Sequence, residues 1–195
     1  MDLYSEALKR FQELLTEAGK TGLRDAAVMT LATVDERGRP SARTVFLEAA
    51  DEQGFVFFTN RHSRKGRQLA ANPQAAMCFF WQPLRQQVQV EGTVEQLAEA
   101  QADAWWAGRD RDTQLVAWAS RQSAPLESNE ALKQRLTEIR QRFDFQRQVP
   151  RPSWWSGFRL VPERIEFWRA GWHHLHERVC YQKSAGAWSV TLLNP

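Results

Sequence analysis

A cluster of basic residues follows a predicted strand at 55–59 and opens a predicted helix. Ser63 is a residue type that caps helix N-termini, and Arg64 and Lys65 fall in the first turn after it. That turn carries free backbone N–H groups and a partial positive charge, which disfavour cations and attract phosphate. A bound phosphate would remove this conflict, and Arg43 on a neighbouring predicted strand could add a further cation. The alternative interpretation is a basic turn that is simply solvated.

Aromatic and charged side chains also lie together near the middle of the chain. Trp105 and Trp106 precede the alternating charges of residues 109–112. An arginine beside an aromatic wall suits a planar anion, because a guanidinium group both forks onto anions and stacks on rings. The alternative is a helix end whose charges never meet.

Histidines cluster near the C-terminus, where His173, His174 and His176 precede Arg178 and Cys180. On a strand, His174 and His176 would share a face with Arg178 and Cys180. Two histidines and a cysteine could hold zinc, but the fixed charge of Arg178 between them would repel a metal ion. The pattern therefore favours no metal. Ordinary hydrogen-bonded histidines and the lining of a polar ligand pocket both remain open.

The sequence lacks the motifs of several other chemistries. It has no glycine-rich phosphate loop, no G-x-S-x-G turn and no Cys–His pair at a known spacing, so hydrolysis by an activated Ser or Cys is unsupported. It has no RNA-binding or helix-turn-helix signature, and its net charge of +3 is weak evidence for a nucleic-acid partner. All but five of its 26 basic residues are arginine, and nine tryptophans accompany them. Either codon bias or a site for an anionic, aromatic ligand explains that composition.

The expected compartment is the cytoplasm, with no membrane association. No apolar run approaches the roughly 20 residues that span a bilayer, and the N-terminus is acidic and amphipathic rather than signal-like. Cys78 and Cys180 are the two cysteines, which does not resemble a disulfide framework.

The patterning that must position these residues predicts an α+β fold, mainly antiparallel β, in a single domain over residues 1–195. Predicted helices cover residues 3–18, 63–71, 97–106, 113–120 and 128–143. Predicted strands cover residues 27–34, 41–47 and 55–59, read as an antiparallel meander, and 75–81, 86–94, 157–161, 164–168, 176–181 and 187–193. Short strands joined by glycine-containing turns favour an antiparallel barrel or sheet.

In order along the chain, several stretches resemble the pyridoxamine 5′-phosphate oxidase family, over nearly the whole length. They are Ala42–Leu47, Val56–Asn60, Ser63–Lys65, Arg85–Val88, Ala117–Ser123, Pro150–Pro152, Gly157–Arg159, Ile165–Trp168 and Leu175–Arg178. The resemblance implies an FMN-binding split β-barrel that works as a homodimer with FMN in the subunit interface. It also implies an oxidase that passes a hydride from a vitamin B6 phosphate to FMN and then to O2, giving pyridoxal 5′-phosphate and H2O2.

The resemblance further implies which residues hold FMN. The phosphate would be held by Arg43, Arg64 and Lys65. The remaining cofactor-binding residues would be Thr44, Val45, Phe46, Leu47, Phe58, Thr59, Gln87, Gln122, Ser123, Trp168 and Arg178. Trp168 and Arg178 would flank the flavin, from across the dimer interface. No side chain is expected to act as a nucleophile.

The substrate side departs from the family pattern at three of six positions. The expected substrate contacts are Glu48, Trp105, Arg109, Thr113, His174 and His176. Arg109 and His176 match, and Thr113 replaces Ser conservatively. Glu48, Trp105 and His174 stand where the family has Lys, Tyr and Arg. A carboxylate beside a phosphate is repulsive, so the alternative is an FMN-dependent oxidase of the same fold acting on a different, non-phosphorylated amine or aromatic metabolite.

Overall fold

The computed structural model describes residues 2–195, apart from the side chain of His174. Among these residues nine strands form one antiparallel sheet, in the order β2-β1-β5-β6-β7-β4-β3, with β8 paired to β7 and β9 paired to β8. The strands are β1 (Val28–Val34), β2 (Pro40–Phe46), β3 (Ala49–Asp51), β4 (Gly54–Asn60), β5 (Gln74–Trp81), β6 (Gln86–Gln96), β7 (Trp155–Arg169), β8 (Glu177–Ser184) and β9 (Ala187–Leu192). The predicted α+β class with an antiparallel sheet is confirmed.

Strand β7 organises the sheet because it pairs with three other strands. Its first half, from Trp155 to Leu160, pairs with β4, and its last residues, from Arg164 to Arg169, pair with β8. Strand β6 pairs along the length from Phe158 to Arg169. The sheet therefore divides at β7, with β4 and β8 lying on the same side of it at opposite ends.

Five helices accompany the sheet, at or near the predicted places. They are α1 (Leu3–Gly19), α2 (Arg64–Ala71), α3 (Glu99–Ala107), α4 (Arg111–Ala119) and α5 (Asn129–Arg142). Among the described residues, no helix has the length and apolar character that crossing a bilayer requires.

Two apolar clusters hold these elements together. In the larger one, α1 lays Phe11 against Phe55 and Phe79 of the sheet, with ring centroids 4.9 and 5.0 Å away. In the smaller one, Trp106 of α3 packs edge-on against Trp155 of β7 at 5.0 Å. The second cluster joins the helices to the same strand that divides the sheet.

Three predictions about the strands are wrong. β1 and β2 pair as the meander predicts, but the meander does not continue to β4, which pairs with β7 and β3 instead. The strands predicted at 157–161 and 164–168 are one continuous β7. The histidines do not share a strand face: Trp172–His174 forms a 3₁₀ turn, and β8 begins only at Glu177.

Candidate functional site

Lys65 is a buried cation in the first turn of α2. The residue is only 8% exposed. The Nζ donates to Thr59 Oγ1 and to Gln122 Oε1, each at 3.1 Å. The predicted cofactor residues Thr59, Lys65 and Gln122 are thus brought into direct contact, from a strand, a helix and the loop after α4.

Arg43 lies beside this group and is held only by neutral oxygens. Its Nη1 donates to Leu31 O at 2.9 Å and to Thr33 Oγ1 at 2.7 Å. Its Nη2 donates to Ser41 Oγ at 2.5 Å and to Gln68 Oε1 at 3.3 Å. These contacts orient the guanidinium group and leave its charge uncancelled.

The electrostatics of these cations favour an anionic ligand. Burial, and then the neighbouring charge of Arg43, lower the pKa of Lys65 from 10.5 to about 8. Burial, and then Arg64, lower the pKa of Arg43. Among the described residues, no carboxylate forms an ion pair with Arg43 or Lys65. Crowded cations with neutral partners fit a phosphate group, whose charge would relieve the repulsion.

The start of α2 has the predicted cap and a tight backbone approach. Ser63 is fully buried, and its Oγ accepts from the Gly66 backbone N–H at 3.2 Å. A Cβ on Gly66 would lie 2.4 Å from the carbonyl oxygen of Arg61. Only glycine lets the helix begin this close to the preceding loop and present Lys65 inward.

The other residues predicted around the cofactor occupy mixed positions. Thr44 and Phe46 are exposed on β2, whereas the side chains of Val45 and Leu47 lie in the core. Val45 and Leu47 could therefore line a ligand only through their backbone. Ser123, next to Gln122, has a left-handed φ of 69°, a strained conformation for a residue with a side chain.

A second group of predicted cofactor residues forms a row across three strands. Trp168 of β7 is the register partner of Gln87 on β6 and of Arg178 on β8. Glu166, only 3% exposed, fixes Arg178 through bonds of 2.7 Å to Nε and 3.1 Å to Nη2. Burial raises the pKa of Glu166, but hydrogen bonds from Arg178 and Arg164 outweigh it and hold that pKa below its ordinary value.

Three of the six predicted substrate residues, Glu48, Trp105 and Arg109, line an open cleft of about 560 Å³. Arg109 Nη1 is 3.5 Å from Glu48 Oε1, so the substituted carboxylate is paired with the matching arginine. The Trp105 ring lies 5.2 Å from that of Phe58, which stacks on Trp155 at 4.6 Å. The guanidinium of Arg109 lies over Trp155 at 5.3 Å. Trp105 therefore forms an aromatic wall with Phe58 beside Arg109. Trp106, the other tryptophan of the predicted wall, is only 3% exposed and packs in the smaller apolar cluster instead.

Thr113 and His176 have partners of their own. The Thr113 hydroxyl donates to Asp110 at 2.5 Å, and Asp110 also accepts from the Thr113 backbone at 2.8 Å as the cap of α4. The His176 ring lies 4.7 Å from that of Trp168, beside the row of cofactor residues. Its Nδ1 accepts from the Gly171 N–H at 3.3 Å. The side chain of His174 lies outside the described part of the structure.

Comparison with known proteins identifies the family. A model of the pyridoxamine 5′-phosphate oxidase family matches residues 15–143, and a model of the pyridoxine 5′-phosphate oxidase C-terminal dimerisation region matches residues 155–195. The chain belongs to the pyridoxamine 5′-phosphate oxidase family. Members of this family are FMN-dependent oxidoreductases, and FMN is the cofactor.

Named relatives extend the likeness over the whole chain. A pyridoxine/pyridoxamine 5′-phosphate oxidase from Alkalilimnicola ehrlichii is 53% identical and covers 100% of both chains. One from Myxococcus xanthus is 49% identical over 97% of this chain and 92% of its own length.

Solved structures agree with the fold. PhzG from Burkholderia lata, crystallised with tetrahydrophenazine-1-carboxylic acid, has a TM-score of 0.90 at 31% identity, covering 96% of this chain and 92% of its own. An FMN-binding protein from Nostoc punctiforme has a TM-score of 0.72 at 18% identity, covering 94% and 95%. The predicted split barrel is therefore confirmed.

Sequence reasoning missed the residues that orient the predicted cations. Thr33, Ser41 and Gln68 surround Arg43, and Glu166 holds Arg178. Pairing partners far apart in the chain give no local motif. The signal available was a polar residue on the apolar face of a short helix, as Gln68 is on α2.

Proposed function

We propose that this protein is an FMN-dependent oxidase that oxidises pyridoxamine 5′-phosphate or pyridoxine 5′-phosphate to pyridoxal 5′-phosphate. Bound FMN would supply the redox chemistry, namely hydride acceptance from the substrate carbon that bears the amine or alcohol and reoxidation by O2 to give H2O2. The alcohol would give the aldehyde directly, and the amine would give an imine that water hydrolyses to the aldehyde and ammonia. The observation that carries the FMN assignment is the pair of buried Lys65 and half-buried Arg43, whose partners are all neutral. The names of the full-length relatives support the substrate assignment.

The protein's own residues bind and orient. Arg43, Arg64 and Lys65 would hold the FMN phosphate with charge-assisted hydrogen bonds. Arg178, fixed by Glu166, would present its guanidinium group as a hydrogen-bond donor beside the flavin ring.

Substrate placement falls to the cleft and to the strand end beside it. Arg109 would hold the substrate from the cleft, and His176 would approach from beside Trp168. The aromatic wall of Trp105 and Phe58 would exclude water from one side of the substrate ring.

We propose a homodimer as the working form, supported by the match of residues 155–195 to a dimerisation region. Large apolar side chains are exposed on that segment, including Trp172 at 84% and Leu192 at 82%. The free thiols of Cys78 and Cys180 fit the reducing cytoplasm as the compartment.

The ion pair between Glu48 and Arg109 favours a second candidate substrate. A phosphate dianion entering this cleft would meet the Glu48 carboxylate and an arginine that is already paired. The alternative is therefore an oxidase of the same fold acting on a non-phosphorylated amine or aromatic metabolite. PhzG supports this reuse, since its structure holds a phenazine carboxylic acid.

Oxygen consumption with four compounds separates the candidates. Pyridoxamine and pyridoxine are each supplied with and without the 5′-phosphate to the FMN-loaded protein, and H2O2 is measured. The primary proposal expects turnover of the phosphorylated pair at the lower KM. Equal or better turnover of the unphosphorylated pair favours the second candidate. Failure of all four to consume oxygen excludes vitamin B6 compounds as substrates.

A further inference from the structure

Gln68 is buried on the inner face of α2, one turn after Lys65, and is only 6% exposed. Its side-chain oxygen accepts three hydrogen bonds, from Thr33 Oγ1 at 2.7 Å, Ser41 Oγ at 2.8 Å and Arg43 Nη2 at 3.3 Å. No other side-chain amide among the described residues accepts hydrogen bonds from three side chains. Gln68 therefore joins the helix to the two strands that carry Arg43 and its neighbours.

The hydrogen bonds among Arg43, Thr33, Ser41 and Gln68 form one connected network. Arg43 Nη1 donates to Thr33 Oγ1, which in turn donates to Gln68, and Nη2 reaches Gln68 and Ser41. Since the hydroxyl of Thr33 is fully buried, its proton has one direction to point, toward Gln68. Gln68 thus fixes the plane of the Arg43 guanidinium together with Leu31 O, both directly and through the hydroxyls of Thr33 and Ser41 that donate to it.

The neutrality of Gln68 matters as much as its position. A carboxylate at this point would accept the same three bonds and would also cancel the charge of Arg43. An apolar side chain would keep the charge and leave Thr33 and Arg43 without an acceptor. An amide oxygen both orients the guanidinium and preserves its full attraction for an anion.

We propose that Gln68 is a positioning residue for the anion site: it orients Arg43 while leaving its charge available to the phosphate of FMN. This inference rests on the proposed function of Arg43 and Lys65. One helix then builds the site in two ways, since α2 contributes Lys65 as a cation and Gln68 as the group that places the other cation.

Affinities of FMN and riboflavin for the apoprotein, measured by quenching of flavin fluorescence, test the proposal. Riboflavin has the same ring without the phosphate, so the ratio of the two dissociation constants isolates the phosphate contribution. Gln68→Glu is expected to weaken FMN binding about 10- to 100-fold and to leave riboflavin within about threefold of wild type. Gln134→Glu, an exposed change of the same charge on α5, is expected to change neither.

A general loss of structure would weaken both flavins together, which the ratio distinguishes from a positioning role. If Gln68→Glu does not fold, Ser41→Ala removes another neutral acceptor of Arg43 at a half-buried position. That variant is expected to weaken FMN binding about 3- to 10-fold, again without effect on riboflavin.

The outcomes separate this inference from the proposed function. A wild-type ratio in Gln68→Glu, or in Ser41→Ala where that variant is the one that folds, overturns the positioning role alone. Wild-type apoprotein that binds FMN no more tightly than riboflavin overturns the phosphate site itself, and the inference with it.

Discussion

Lys65 is the residue on which the cofactor assignment depends most. It is a buried lysine whose partners, Thr59 and Gln122, carry no charge. Folding therefore buries a cation beside Arg43, and the burial and then the charge of Arg43 lower the pKa of Lys65 to about 8. In the apoprotein such an arrangement costs stability, and a bound phosphate offsets the cost.

The lowered pKa of Lys65 predicts opposite trends for stability and for FMN binding. Between about pH 8 and 10.5 the unfolded chain holds a proton that the folded apoprotein has lost, so the free energy of unfolding contributed by Lys65 rises with pH in this window. FMN binding follows the protonated form, so FMN affinity falls as pH rises through about 8, while riboflavin affinity stays flat. Fluorescence titrations from neutral to alkaline pH measure both flavins.

Lys65→Ala is the control for this trend. It is expected to bind FMN about 10- to 100-fold more weakly at neutral pH, and without the decline around pH 8. An alkaline decline that persists in Lys65→Ala would assign the titration to another group.

Glu48 governs the charge of the substrate cleft. Glu48→Lys removes the carboxylate that pairs with Arg109 and adds a phosphate donor. We expect the KM for pyridoxine 5′-phosphate to fall about tenfold or more, with kcat less affected, since this contact is made in the bound substrate as well as in the transition state. Glu52→Lys, an exposed change of the same charge in the turn before β4, controls for net charge. An unchanged KM would mean that Glu48 does not face the substrate phosphate.

At the scale of elements, the start of α2 joins the stability of the chain to its cofactor site. Gly66 approaches the Arg61 backbone so closely that a Cβ would lie 2.4 Å from its carbonyl oxygen. Gly66→Ala must displace the loop or the first turn, which carries Lys65.

We expect Gly66→Ala to lower the free energy of unfolding of the apoprotein by about 1–3 kcal/mol, and to weaken FMN binding at the same time. Urea unfolding and flavin titration measure the two effects. Gly19→Ala is the matched control, because a Cβ there meets nothing within 4 Å. Equal stability of Gly66→Ala and wild type would show that the loop yields without cost.

The sequence predicted most elements but not the order of strands. Periodicity and capping residues located α1, α2, α5 and most strands within a few residues, since each signal is local. The break predicted between residues 161 and 164 is absent. Gly92 on the facing strand β6 leaves room for the backbone at Val161 and Pro162, because a Cβ on Gly92 would lie 2.0 Å from Val161 O. The pairing of β6 with β7 shifts its register once at this point and then continues. The meander was wrong because strand pairing depends on contacts distant in sequence, as between β4 and β7.

For the candidate site, too, the sequence alone indicated only the residues that stand in a local pattern. Arg64 and Lys65 were visible as cations in a helix's first turn, whereas the roles of the other cofactor residues came from family resemblance. Glu48 and Arg109 are paired although they lie 61 positions apart in the chain. A local sequence pattern extends over about 11–18 residues, so no such pattern could predict this pair.

At the scale of the whole molecule, a row of apolar side chains on the sheet face opposite α1 is exposed to solvent in the single chain. Phe46 is 51% exposed, its register partner Val28 36%, and Phe80 on the next strand 57%. Such a patch marks an interface, and the dimerisation region supplies further exposed apolar residues.

We expect sedimentation to give a mass of twice 22.6 kDa for the wild-type protein. Phe80→Arg places a charge in the apolar row and is expected to shift the protein towards monomer and to weaken FMN retention. Phe145→Arg, at a residue 99% exposed in the loop after α5, is the control and should remain dimeric. A Phe80→Arg dimer of wild-type stability would place the interface elsewhere.

The most direct test of the oxidase assignment is anaerobic mixing of the FMN-loaded protein with pyridoxamine 5′-phosphate or pyridoxine 5′-phosphate, followed by absorbance. The account predicts that the yellow colour of oxidised flavin is lost in a single turnover, that pyridoxal 5′-phosphate forms, and that admitting oxygen restores the colour with release of H2O2. Flavin that stays oxidised with both phosphates and with their unphosphorylated forms would contradict it.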